Sequence, residues 1–235
     1  MANVFVLLIL SVKVYGQVEA NPSISELEKK MMKSQLANGQ SLLYNGFNFY
    51  GYAPNYFEND HAFFLEESWT SGDVTYENIT YHQVPLKYDL LKDELIVQYF
   101  DKLSSINLIK NKIQGFSISG HKFIRLDETD TNSEIPSGFY EELYHHKLVL
   151  LAKRGKTVRE NVSANGVKRN IETLNRYYIY KNEKFQRFNS LSSLVKILKD
   201  RKKELSQYMK INKKKFKKEP EDAMVAIVTY YDQLQ

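Results

Sequence analysis

A chain of 235 residues, 43% of them hydrophobic, is long and apolar enough for one large domain or two small ones, which excludes disorder along its whole length. It has no cysteine, so disulfides, thiolate catalysis, cysteine metal ligands and a lipidated N-terminal cysteine are excluded together. The net charge of +5 is concentrated: Lys196 to Lys218 holds 11 Lys and Arg against Asp200 and Glu204, and the remainder of the chain is net acidic.

Residues 1–16, MANVFVLLILSVKVYG, contain an apolar run from Val4 to Val12 that is too short for a membrane-spanning helix of about 20 residues. Val14 and Gly16 precede a possible cut before Gln17, so the segment reads as a signal peptide, although no Lys or Arg precedes the apolar run. The expectation is an exported protein, periplasmic or secreted, with no transmembrane span. A buried N-terminal strand is the plain alternative. An exported chain without disulfides relies on its core alone, which suits a bacterial envelope better than a small extracellular animal domain. The sequons at Asn78 and Asn161 then read as chance occurrences.

Residues 17–40 form a polar lead-in with scattered Leu and Met, either a short helix or a loose segment. From 41 to 189 the texture changes to short apolar or aromatic runs with turn residues about every ten positions, the mark of an antiparallel sheet. With 17 Tyr and 13 Phe in the chain, that sheet is aromatic-rich, since such side chains pack well on a pleated surface. Glu77-Asn78, Gly120-His121 and Lys181 to Glu183 are its expected turns, and Pro85 ends a strand because it has no N–H for the ladder.

From Ser190 the apolar period changes from two to about 3.6. Leu191, Leu194, Val195, Leu198, Leu205, Tyr208 and Met209 mark one helical stripe, interrupted at Arg201 and Lys202. Pro220, followed by Glu221 and Asp222, opens a second stripe through Met224, Ile227, Val228, Tyr231 and Leu234. The fold class is therefore α+β: an antiparallel aromatic-rich sheet, as a curved sheet or half-barrel, followed over 190–235 by a C-terminal helical hairpin packed on it.

Read in order, LYNGFNFYGY, HAFFLEESWTSGDVTYENITYHQVPLKYDLLKDELIV, ISGHKFIRL, GFYEELYHHKLVLLAKR, YYIYKNEKF and the ending from Leu198 resemble an uncharacterised family of exported proteins of Bacteroidetes-type bacteria. The likeness spans roughly residues 41–235 and rests on the order of these blocks. It implies an envelope or secreted location and a shared fold, and it carries over no reaction and no catalytic residue.

The residues best placed for a functional patch are Asp60-His61, Glu66-Glu67 and Trp69, where carboxylates beside an imidazole and an amphipathic ring offer hydrogen bonds and stacking to a sugar or a peptide. A loop whose Phe63, Phe64 and Trp69 are core anchors is the plain alternative. His145-His146 is read as a two-residue hairpin connection at an exposed tip, where nothing orients either imidazole. Asp89, Asp93 and Glu94 are paired carboxylates of the kind hydrolases use, or else a solvated turn. The basic surface Lys213, Lys214, Lys215, Lys217 and Lys218 reads as a solvated helix end, with anionic lipid headgroups as the other reading. Export and the single Phe216 argue against nucleic acid. No phosphate loop, nucleophile elbow, metal-ligand helix or cofactor motif is present, and no catalytic residue is assigned.

Three functions remain open. The first is a non-enzymatic envelope or secreted binding protein for a protein, glycan or lipid. The second is a lipid or lipoprotein carrier with an apolar cavity under a helical lid. The third is a hydrolase using acidic residues and His61 within 58–73. The reading leans away from an enzyme.

Overall fold

A computed structural model describes residues 24–37, 39, 41–127, 135–164 and 166–235. The expected signal peptide lies outside the described residues. In chain order the elements are α1 (Ile24–Ala37), β1 (Phe47–Asn48), β2 (Thr70–Tyr76), β3 (Ile79–Asp89), β4 (Glu94–Gln98), β5 (Ser105–Asn107), β6 (Ile113–Ile118) and β7 (His121–Leu126). There follow β8 (Gly138–His145), β9 (Val149–Lys153), β10 (Lys156–Ser163), β11 (Gly166–Thr173), β12 (Arg176–Lys181) and β13 (Lys184–Phe188). Four helices end the chain: α2 (Leu191–Ile197), α3 (Lys202–Ile211), α4 (Lys213–Lys218) and α5 (Pro220–Gln233).

Eleven strands form one sheet in the order β1-β5-β4-β3-β2-β6-β7-β8-β9-β12-β13, with antiparallel pairing throughout. The hairpin β10-β11 leaves this sheet. Three connections use two residues with positive φ: Glu77-Asn78 at 51° and 64°, Ser119-Gly120 at 51° and 81°, and Asn182-Glu183 at 52° and 61°. That backbone matches the right-handed twist of the flanking strands. The β8-β9 connection differs from expectation. His145 still pairs with Val149, and the turn is made by residues 146 to 148, closed by a bond from His146 N–H to Leu148 O.

Among the described residues three buried clusters sit along the sheet, two large and a smaller one of Ile135, Tyr140, Leu151 and Tyr178. In the first, Tyr81, Val84, Leu86 and Tyr88 of β3 are buried, and a bulge at His82 and Gln83 adjusts the phase so that Tyr81 and Val84, three apart, face the same core. Phe116 and Phe123 stack at 4.7 Å, with Tyr88 edge-on to each at 5.1 Å. In the second core, Leu150, Ile179 and Phe188 of the sheet meet Leu194, Leu198, Leu205, Phe216, Met224, Ile227, Val228 and Tyr231 of the helical layer. These side chains are buried between the sheet and the helices.

The expected first helix is divided into α2, a 3-10 turn at Lys199–Arg201, α3 and α4. The breaks fall at Leu198 (ψ 39°) and Asn212 (ψ 10°). At the first break Asp200 accepts bonds from Lys181 of β12 and Tyr231 of α5, both at 2.6 Å, which ties the turn to the sheet and to the last helix. The start of α2 is a capping box in which Ser190 Oγ accepts from Ser193 N–H and Ser193 Oγ accepts from Ser190 N–H. Ser190→Ala is expected to cost about 1 kcal/mol in urea unfolding. A loss of only a few tenths would show that apolar packing alone holds that helix end. Among the described residues, no helix is long and apolar enough to cross a membrane.

Candidate functional site

The segment from Phe49 to Trp69 holds the expected patch, and it is folded into a cleft of about 440 Å³. Its outer wall is made by a reverse turn at Ala53-Pro54-Asn55-Tyr56, closed by a bond from Tyr56 N–H to Ala53 O at 3.1 Å. Pro54 pre-sets the first central φ, and Asn55 takes φ 56° at the second, the pattern of a type II turn. Aromatic rings cluster about this turn: Tyr52 lies 5.0 Å from Phe57, and Tyr56 meets Phe57 edge-on at 4.9 Å.

Two anchors hold the segment. On one side, Phe64 N–H donates to Tyr88 O and Leu90 N–H to Ala62 O, so residues 62 to 64 run along the end of β3. The Tyr52 hydroxyl donates to buried Asp89 at 2.6 Å, and burial followed by this bond pushes the phenol up. On the other side stands the β10-β11 hairpin. Asn59 makes a two-way bond with the backbone of Ile171, and the guanidinium of Arg169 lies 4.6 Å from the centre of the Tyr56 ring. Lys156, only 8% exposed, donates to Asp60 Oδ2, His61 O and Phe63 O.

Asp60, His61 and Glu67 line the cleft; Glu66 and Trp69 do not. Glu66 accepts a bond from Ser68 at the surface. Trp69 is half-buried, with Lys87 Nζ 4.6 Å from its ring and 5.1 Å from that of Phe63, and burial holds that ammonium below its ordinary value. His61 Nδ1 accepts from Phe63 N–H at 3.2 Å, which fixes the ring with Nε2 3.8 Å from Asp60 Oδ1. Burial alone would push the Asp60 carboxyl up, but the Lys156 ammonium and the His61 N–H outweigh it and hold the group below the usual carboxylate range. Asp60 is therefore an ionised acceptor, poorly suited to general acid work.

The other candidates lie elsewhere. A carboxylate faces each of the paired histidines, which corrects the expectation that neither is oriented: His145 is 2.7 Å from Glu142, and His146 is 3.3 Å from buried Asp232. Asp232 also accepts from Tyr144 at 2.8 Å. The acidic loop after β3 is not a solvated turn. Asp89 is fully buried and bonded to the backbone N–H groups of Leu91 and Lys92, while Asp93 is paired with Lys110 and Lys153. Lys213, Lys215, Lys217 and Lys218 are exposed on α4, which is pinned by buried Phe216; the side chain of Lys214 lies outside the described residues. Among the described residues, no group of three or more His, Asp or Glu is placed to hold a metal ion.

Sequence reasoning missed Tyr52, Tyr56, Phe57 and the clamp residue Lys156. The turn signal Pro54-Asn55 between aromatics was the available clue to the first three; Lys156 left none, because it acts across the fold. Comparison with protein-family models, with curated proteins and with solved structures finds no match to this chain.

Proposed function

We propose that this chain is an exported, non-enzymatic binding protein of the cell envelope, and that the cleft between Tyr56 and His61 holds a saccharide. The observation that carries the reading is the conjunction in one cleft of aromatic rings with ionised or neutral hydrogen-bonding groups: Tyr52, Tyr56 and Phe57 beside Asp60, His61 and Glu67. A pyranose has C–H faces that stack on aromatic rings and hydroxyls that donate to carboxylates, so it satisfies both kinds of wall at once. The size falls within the range of small-ligand sites. The apolar segment at Val4 to Val12 supports export.

Binding fits this cleft better than hydrolysis, because Asp60 is committed to Lys156 and His61 to the Phe63 N–H. Titration calorimetry of the purified chain against a panel of neutral mono- and oligosaccharides tests the proposal. Saturable binding is expected, and Tyr56→Ala is expected to weaken it about tenfold, or about 1.4 kcal/mol. Tyr56 is 40% exposed, so the substitution is expected to leave the fold intact, as unchanged far-ultraviolet circular dichroism would show. A panel without any binder, or a variant that binds as well as the parent, would sink the reading.

A further inference from the structure

A second concave site lies on another part of the sheet, and it is built by a local failure of strand pairing. β3 and β4 pair from Asp89↔Glu94 up to Leu86↔Val97 and no further. The next residue on β3 is Pro85, which has no N–H to continue the ladder, and beyond it comes the bulge at His82 and Gln83. The strands part there, and a groove of about 500 Å³ opens between Val84-Pro85 on one side and Tyr99-Phe100 on the other. The end of α1 roofs it. Leu36 packs on the first core, and its carbonyl accepts the Tyr44 hydroxyl at 3.1 Å. Gly39, at φ 66°, lets the chain pass against the Phe100 ring, where a Cβ would collide.

The walls and the rim of this groove differ in chemistry. Its floor is Leu36, Tyr44, Val84, Pro85 and the rings of Tyr99 and Phe100, and Phe100 remains 44% exposed. Its charged rim is cationic: Lys33 and Lys102 line it, and among the described residues neither is paired with a carboxylate and no Asp or Glu lines it. His82, at the bulge, already faces Asp73 at 3.3 Å. An apolar trough with two unpaired ammonium groups at its edge is complementary to an amphiphilic anion.

We propose that the groove binds one long-chain carboxylate, the acyl chain lying between Val84 and Phe100 and the carboxylate meeting Lys33 or Lys102. This site is independent of the saccharide cleft. The test uses the full chain and the fluorescent fatty acid 11-(dansylamino)undecanoate. Expected are saturable one-to-one binding, competition by palmitate, and at least tenfold weaker competition by methyl palmitate. Ala37→Trp, at an exposed groove position, is expected to abolish binding by filling the trough, and Lys33→Glu with Lys102→Glu to weaken it at least tenfold. Both variants should retain the far-ultraviolet circular dichroism and melting point of the parent. Absence of saturable binding, equal competition by acid and ester, or full affinity in either folded variant would overturn the proposal.

Discussion

Arg154→Met is expected to lower stability by about 3–5 kcal/mol, the loss found when one partner is removed from a buried ion pair. Arg154 follows β9 and is only 9% exposed. Its Nε donates to Glu141 of β8, and its two terminal nitrogens donate to the Glu221 carboxylate at 2.7 Å each. Glu141, 5% exposed, also meets His121 of β7, and Glu221 also accepts from Tyr177 of β12 at 2.8 Å. The network centred on this guanidinium thus ties β7, β8, the end of β9 and β12 to the first turn of α5, where a carboxylate is favoured by the helix dipole as well. Burial raises the Glu221 carboxyl, but the Arg154 bonds outweigh it and hold the group ionised. Without the guanidinium, Glu141 is left inside the protein with His121 as its other side-chain partner. Replacing all three charges together, as Arg154→Met with Glu141→Leu and Glu221→Leu, is expected to recover most of the loss, because no orphaned charge remains. Urea unfolding at neutral pH measures both. A single-variant loss below about 1 kcal/mol would mean that water screens the cluster as it does a surface pair.

None of this network was legible in the chain order, and the reason is geometric. His121 and Glu141 are 20 positions apart, and Arg154 and Glu221 are 67 apart. Their meeting depends on strand register and on where α5 docks. Local signals did better. Glu77-Asn78 and Asn182-Glu183 stand at positive φ between paired strands because such turns are set by two residues and their neighbours. The helical stripes were visible because burial of Leu194, Leu198, Met224, Ile227 and Tyr231 follows the 3.6 period. The strand order was not visible, since β6 pairs with β2 rather than with its predecessor. At the cleft, His61 stood out as a residue type, whereas Glu66 and Glu67 could not be told apart: adjacent residues on an irregular loop have no period that says which one points inward.

Asp93→Asn is expected to cost about 3 kcal/mol, and its cost should depend on pH in a way that a packing defect does not. Asp93 sits in the turn between β3 and β4 with 19% of its side chain exposed. It accepts from Tyr88 at 2.6 Å, Lys110 at 2.6 Å and Lys153 at 3.1 Å. Lys153 is 13% exposed, and its ammonium, held below its ordinary value chiefly by burial, has no other carboxylate partner among the described residues. The amide removes the countercharge and leaves that ammonium in a poorly solvated place, which is the source of the loss. Burial pushes the Asp93 carboxyl up, but the Lys153 charge and the bonds from Lys110 and Tyr88 outweigh it, so its folded pKa lies below the usual carboxylate range. A group depressed in this way contributes its full stabilisation above the unfolded pKa and loses it as pH falls through the folded pKa. The parent and Asp93→Asn should therefore differ in melting temperature by about 6–12 °C at neutral pH. The gap should narrow as the pH is taken from about 7 down through the folded pKa of the parent carboxyl, below which that carboxyl is itself protonated. Equal gaps at both ends would show that the aspartate acts through shape and hydrogen bonding, with Lys153 solvated well enough to need no countercharge.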